Sequence, residues 1–197
     1  MAKLLNLAIG TMLALGAAPA FASDEMASDE VAVAVEAAAA TLAPNRFVWS
    51  DPGTAEPVTV VISVPLQRAF VYRGEALVAA TAVSTGTDDK PTPTGIYPIL
   101  QKAEKHRSNL YDASMPYMQR LTWDGIALHA GANPGFPASH GCIRLPTAFA
   151  KKLFEVTTLG TNVVVTDDVL MEARLNPELL RTDAMRANEA QFASLGD

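Results

Sequence analysis

Cys142 is the chain's single cysteine, set in Ser139-His140-Gly141-Cys142-Ile143-Arg144-Leu145. Two of the three histidines are close by: His140 within that stretch and His129 upstream in Leu128-His129-Ala130-Gly131. A thiol reacts as its thiolate, so a working cysteine needs a base or a positive local field to bring it below the free value of about 8.5. His129 and His140 are the local bases, and covalent catalysis by a cysteine beside a histidine is the chemistry this grouping offers. Two other readings stand beside it. One is a buried, inert cysteine acting as a small hydrophobe. The other is a zinc site drawn from His106, His129, His140 and Cys142, although the H-x-C spacing matches no common zinc motif and no acidic residue lies between His129 and Cys142. No metal and no cofactor are expected.

Positioning these groups is a matter of strands. Val58-Thr59-Val60-Val61-Ile62-Ser63-Val64 is a β-rich run, and Ala69–Tyr72 with Ala76–Val78, extended to Ser84, flank Arg73-Gly74-Glu75 as a hairpin. Turn chemistry from Thr85-Gly86 to Gly95 precedes another predicted strand, Ile96 to Gln101. Leu121–Trp123 and Ile126–Leu128 are predicted as two short strands around Asp124-Gly125, a type I′ hairpin dipeptide. Alternation puts Ile126 and Leu128 on one face of that strand and Ala127 and His129 on the other. The same parity places His140 and Cys142 on one side if their segment is extended. Gly141 between them lets a ligand approach the backbone. Pro146 suits the first turn of a helix that carries Phe149, Leu153 and Val156 on one face and stops by Gly160, and Thr161–Thr166 returns as a strand. Strands outnumber helices, so the fold class is mainly β.

The first 22 residues have the pattern of an export signal: Lys3, an apolar run from Leu4 to Ala18, and the small-x-small site Ala20-Phe21-Ala22. The apolar run is short for a spanning helix of about 20 residues. A periplasmic or cell-envelope protein with no membrane span after cleavage is therefore expected. Residues 23–57 mix acidic residues with an alanine-rich run and are expected to be a linker or leader. Residues 58–167 form the catalytic domain, and 168–197 a charged, helical tail. Net charge is −6, which argues against nucleic acid as a partner. A lone cysteine exported to an oxidising compartment cannot form an internal disulfide and is a liability unless it works.

With these residues in hand, S-H-G-C-I-R after an upstream histidine resembles the YkuD-type L,D-transpeptidases of bacterial cell walls. Pro91-Thr92-Pro93-Thr94-Gly95-Ile96-Tyr97 is similar to that family's T-P-x-G segment, Met115-Pro116-Tyr117 also fits, and together the likeness spans most of Val58 to Thr166. The resemblance implies a β-sandwich-like domain in which Cys142 attacks the bond after the third residue of a peptidoglycan stem peptide. D-alanine leaves, a thioester forms, and an amine on a neighbouring stem resolves it to a cross-link that serves wall biogenesis and cell shape. By position, His129 matches the general base, oriented through the backbone carbonyl of Ala130, and His140 matches a second histidine that shapes the pocket. Gly141 and Cys142 backbone N–H groups match the oxyanion hole, and Arg144 the polar residue two places after the nucleophile. The resemblance further implies that a carbapenem acylates Cys142.

Several assignments need no family. Arg144 is a permanently charged, forked donor that suits a carboxylate-bearing substrate, with an ordinary salt bridge as its alternative. Ser139, Tyr117 and Trp123 are candidates to line the substrate groove, and for the two aromatics core packing is the alternative. One departure from the family pattern stands out: only nine residues separate His129 from Ser139, where the family more often has several more, which shortens one wall of the pocket. Family members also exchange D-amino acids, attach lipoproteins or cut such links. An L,D-carboxypeptidase or endopeptidase, in which water resolves the thioester, and a non-catalytic wall-binding module with an unreactive Cys142 are the competing readings.

Overall fold

The computed structural model of the chain describes residues 21–108, 112–170, 172–182 and 185. In chain order the elements are α1 (Phe21–Ala40), β1 (Phe47–Trp49), β2 (Val58–Ser63), β3 (Arg68–Arg73), β4 (Ala76–Ala82), β5 (Gly95–Pro98), β6 (Gln101–Ala103), β7 (Met118–Arg120), β8 (Ala127–Ala130), β9 (Ile143–Leu145), α2 (Thr147–Val156) and β10 (Asn162–Thr166). A 3-10 turn at Pro177–Leu180 follows.

Runs of β-branched residues, stiff at χ1 and well suited to a pleated surface, build the central strands β2 and β10, which lie side by side and parallel. They belong to a six-stranded sheet ordered β1-β4-β3-β2-β10-β5; a four-stranded sheet, β6-β7-β8-β9, packs against it. Between the two, Val60, Ile62, Val71, Val163 and Val165 meet Leu128, Ile143 and Leu145, joined by Phe149 and Leu153 of α2. The two sheets are also tied directly. Ser84, just past β4, exchanges backbone bonds with Arg144 of β9 in both directions, at 3.1 and 2.9 Å. The architecture is therefore mainly β and sandwich-like, as the sequence predicts.

The opposite face of the large sheet is covered too. Val61, Phe70, Tyr72, Leu77 and Val164 pack against Ala32, Val35 and Ala39 of α1 and against Leu175. Residues 23–57, expected as a linker, thus carry a docked helix and an edge strand, β1, paired with β4. The physical reason lies in the alanines, whose small side chains let a helix of low apolar content lie close on the sheet. Arg68 then closes the helix end, reaching Ala39 O in the last turn at 3.3 Å and Leu42 O just beyond it at 2.6 Å. Part of the tail joins the same face: Leu77 N–H donates to Ala173 O and Leu175 N–H to Glu75 O. Of the helical tail expected over 168–197, residues 171, 183–184 and 186–197 lie outside the described residues, as do 1–20 of the expected export signal. No described helix is long and apolar enough to cross a membrane.

Three local expectations are corrected. The strand predicted at Leu121–Trp123 lies earlier, at β7, because Leu121 and Thr122 N–H groups both donate to Ile126 O and end the ladder there. Of the Asp124-Gly125 pair only Gly125 has positive φ, so the turn is not type I′, which needs both. The strand predicted over Ile96–Gln101 is divided between sheets. Pro98, which has no N–H to donate, closes β5, and Ile99 and Leu100 cross to β6 by bonding Thr161 O and Arg120 O.

Candidate active site

The outward face of the four-stranded sheet carries the chemistry, and strand parity determines which residues are there. Directly paired residues share a face, and so do residues two apart. Register pairs His129 with Arg144 and Arg120 with Ala127. Ala127 precedes His129 by two and Cys142 precedes Arg144 by two, so all five side chains emerge together. Leu128, Ile143 and Leu145, on the alternate positions, enter the core. A cavity of about 600 Å³ opens over this face, lined among others by Cys142, His129, His140, Arg144, Arg120 and His106.

His129 is 7% exposed, and its Nδ1 lies 2.8 Å from Ala130 O. A carbonyl only accepts, so Nδ1 carries the proton and Nε2 keeps the lone pair that a general base requires. Burial pushes the imidazole below the ordinary histidine value, against the raising effect of the Ala130 carbonyl, and the charges of Arg144 and His106 lower it further. The resting imidazole is therefore neutral. Gly131 leaves room for this arrangement: a Cβ there would stand 3.1 Å from Arg144 Cγ and 3.3 Å from His129 Cε1.

Cys142 is a free thiol. Its Sγ donates to Gly125 O at 3.3 Å. Burial pushes it above its ordinary value, while the backbone N–H of Ala127 and the charges of Arg144 and Arg120 pull the other way. The site thus rests as neutral thiol and neutral imidazole. Once the proton moves, two guanidinium charges stabilise the thiolate and the Ala130 carbonyl stabilises the imidazolium.

The turn that presents Cys142 is braced from inside. Gly141 has φ +109, a conformation that favours glycine, and a Cβ there would also push on Ile126 Cδ1 at 2.7 Å. This bend also removes the extended geometry expected for His140 and Cys142: His140 is exposed and Cys142 largely buried, although both reach the cavity. Thr92, in the segment rich in proline and threonine, accepts from Gly86 N–H at 2.9 Å and donates to Gly141 O at 2.8 Å. Ser139 does similar work. Its hydroxyl donates to Cys142 O and accepts from Gly141 N–H at 3.1 Å, so at 2% exposure it shapes the turn while also bordering the cavity. The Gly141 N–H, held by Ser139, is correspondingly not free to serve an oxyanion while that bond stands.

Of the two aromatic candidates, the structure separates one from the site. Tyr117 packs edge-on to Phe154, ring centroids 5.9 Å apart, and belongs to the core rather than the cavity. Trp123 is 73% exposed at the cavity lip, with the Arg120 guanidinium 5.7 Å from its ring.

The short loop between His129 and Ser139 is held by its neighbours. Ala138 and Ser139 N–H groups both donate to Thr85 O at 3.0 Å, and Ser84 Oγ donates to Phe136 O at 2.8 Å. From the leader, Asn45 Nδ2 donates to Asn133 O at 3.0 Å, and Pro44 lies against Gly135. Sequence reasoning missed Arg120, Thr92 and the leader's contacts with this loop. Parity could have found Arg120, but only with the register of β7 on β8, which the sequence placed three residues too late. Among the described residues no group of three or more His, Cys, Asp or Glu is placed to hold a metal ion.

With this geometry established, comparison with known proteins adds the following. The model of the YkuD family, the L,D-transpeptidase catalytic domain, matches residues 57–165. An L,D-transpeptidase structure from Stackebrandtia nassauensis is similar at 28% identity and TM-score 0.53, over 57% of this chain and 57% of that one. L,D-transpeptidase 1 from Mycobacterium tuberculosis shares the fold at 24% identity and TM-score 0.51, over 56% of this chain and 62% of that one. So does an L,D-transpeptidase solved in complex with imipenem, at 23% identity and TM-score 0.54, over 56% and 59%. The chain spans less than two thirds of each of these structures. No curated relative matches it.

Proposed function

The chain belongs to the YkuD family of L,D-transpeptidase catalytic domains, and on that premise we propose that it is an acyltransferase acting on peptidoglycan stem peptides through a thioester on Cys142. The observation that carries this reading is the sheet face that brings Cys142, His129 and Arg144 into one cavity, with His129 Nδ1 fixed on Ala130 O.

In the first half-reaction His129 Nε2 takes the Cys142 proton, and Sγ bonds to the scissile carbonyl carbon. The carbon–nitrogen bond then breaks, the imidazolium returns its proton to the departing amine, and a thioester remains. In the second half, an acceptor amine loses a proton to His129 and attacks the thioester. The carbon–sulfur bond breaks, and Sγ recovers the proton. The Cys142 N–H, at the head of β9, serves the tetrahedral oxyanion; Gly141, assigned beside it from the sequence, instead holds the turn through Ser139. Arg144 takes a substrate carboxylate. His140, exposed in the cavity lining, bounds the pocket. An amino-terminal export signal over residues 1–22 would deliver the protein to the envelope, where its substrate lies.

Incubation with a carbapenem tests the nucleophile. Intact protein gains the drug's mass and Cys142→Ala does not; an adduct that persists in the variant would show that another residue reacts. Incubation with disaccharide-tetrapeptide then tests the reaction type. Cross-linked dimers are the expected product, whereas tripeptide alone would make the chain a hydrolase. No reaction with either probe would leave a wall-binding module.

A further inference from the structure

The cavity is more cationic than the chain. In a protein of net charge −6, its lining carries Arg120 and Arg144, with the exposed Asp124 as its one acidic side chain. Four of the described arginines elsewhere pair with carboxylates, among them Arg73 with Asp51 at 2.9 Å and Arg174 with both Asp29 and Glu75, and Arg68 is spent on backbone carbonyls. Among the described residues, no carboxylate lies within ion-pair distance of Arg120 or Arg144.

Arg120 is also held ready. Its Nε donates to Gln101 Oε1 at 2.9 Å, from the strand beside it, and its guanidinium lies over Trp123 at 5.7 Å. One edge of the guanidinium is pinned, leaving the terminal nitrogens for a ligand. A fork fixed in this way loses less freedom on binding than a loose side chain.

Register separates the two arginines. Arg144 pairs with His129, and Arg120 with Ala127, two residues earlier on the same strand. Their α-carbons are therefore about 12 Å apart, taking a strand spacing of ~4.8 Å and a rise of ~3.4 Å per residue. Cys142 sits opposite Ala127, which it contacts, two residues before Arg144 on its own segment and two strands from Arg120. The two guanidiniums therefore rise from different strands, β7 and β9, and can take two different carboxylates of one peptide.

Building on the function proposed above, we infer that Arg120 is a second carboxylate-binding residue, which holds a carboxylate on the acyl side of the peptide while Arg144 holds the carboxylate of the departing residue. The assignment follows from His129. The base must reach the departing amine, whose own carboxylate is two bonds away, and Arg144 is the arginine paired with His129. Arg120 lies across Ala127 from the nucleophile, where the acyl portion must extend. The ligand class is a peptide with two free carboxylates, one on each side of the scissile bond.

The test is a cycle between Arg120→Gln and donor amidation, using a tetrapeptide with both carboxylates free, one amidated on the acyl side and one amidated at the terminus. Arg120→Gln should lower kcat/KM for the first donor about tenfold or more, since a charged hydrogen-bonded pair is lost. On the acyl-side amide it should leave only the smaller, donor-independent loss that comes from the weakened field on the thiolate, and on the terminal amide the full effect. Arg120→Lys should recover part of the loss. The same cycle read as peptide binding to Cys142→Ala protein should show the same coupling. Equal losses on all three donors, matched by an equal fall in iodoacetamide alkylation of Cys142, would overturn the inference and leave Arg120 acting only through its field on the thiolate. If the free tetrapeptide is turned over but shows no coupling, this inference alone fails. If the peptide is neither turned over nor bound, the substrate reading fails and takes the inference with it.

Discussion

Both faces of the six-stranded sheet are covered, one by the second sheet and α2, the other by α1 and the carboxyl-terminal segment. The four-stranded sheet is covered by core on one face only, and its other face holds the cavity. Strands buried twice over are continuous apolar runs such as Val60-Val61-Ile62 and Val163-Val164-Val165. In the smaller sheet the same alternation sorts residues by task. On β8, Leu128 faces the core while its neighbour His129 faces the cavity, one residue apart in sequence. A period-two element can therefore anchor a site and stabilise the fold at once, with little interference between the two.

That contrast predicts opposite outcomes for adjacent substitutions. His129→Ala should slow acylation of Cys142 by about 10²–10⁴-fold, the usual worth of a positioned base, with little change in Tm. A comparable loss of Tm would mean that the two faces are not separable. The wild-type acylation rate should also carry an acid limb. Because burial holds His129 below the ordinary value of 6.5, the rate should stay level as pH drops towards that value and fall only beneath it. An inflection at or above 6.5 would contradict a desolvated base.

Leu128→Ala should show the converse, costing about 2–5 kcal/mol of stability in urea with a near-normal acylation rate in whatever fraction stays folded. Between the faces lies the brace under the catalytic turn. Thr92→Val removes both bonds made by the hydroxyl, leaving the buried Gly86 N–H and Gly141 C=O unmatched. It should cost about 1–3 kcal/mol and slow acylation as well, so both readouts should move. A change in Tm alone would separate the brace from the nucleophile's geometry.

The smallest effect expected is at the leader. Asn45→Ala removes one hydrogen bond to Asn133 O, worth about 0.5–1.5 kcal/mol. Proteolysis of the loop between His129 and Ser139 should become faster in this variant, since Asn45 and Pro44 hold it from outside. No change in cleavage would indicate that Thr85 and Ser84 suffice.

Much of the site was legible without coordinates because the chemistry is local. A lone cysteine two residues from Arg144, and a histidine with Ala127 on one side of a short strand, are facts of spacing and parity. The main β-runs were legible for the same reason, since β-branched sequences leave few other options. Legibility failed where a long-range partner decides. Asp124-Gly125 names a turn but not the ladder that it closes, so β7 was displaced and Arg120 went unseen. Alanines in residues 23–57 look like a poor core until a sheet offers a close surface. Ser139 reads as a groove residue and does border the cavity, but that Gly141 and Cys142 hold its hydroxyl shows only in the fold.

The sequence by itself determined the candidate nucleophile, the two histidines near it, the mainly β class and the family resemblance, because residue type and period are carried by the chain. Only the tertiary structure decided which face each strand turns outward, that Arg120 and His106 share the cavity with Cys142, that Tyr117 does not, and that the leader braces the short loop. These depend on register and on contacts between segments far apart in sequence, which no local pattern encodes.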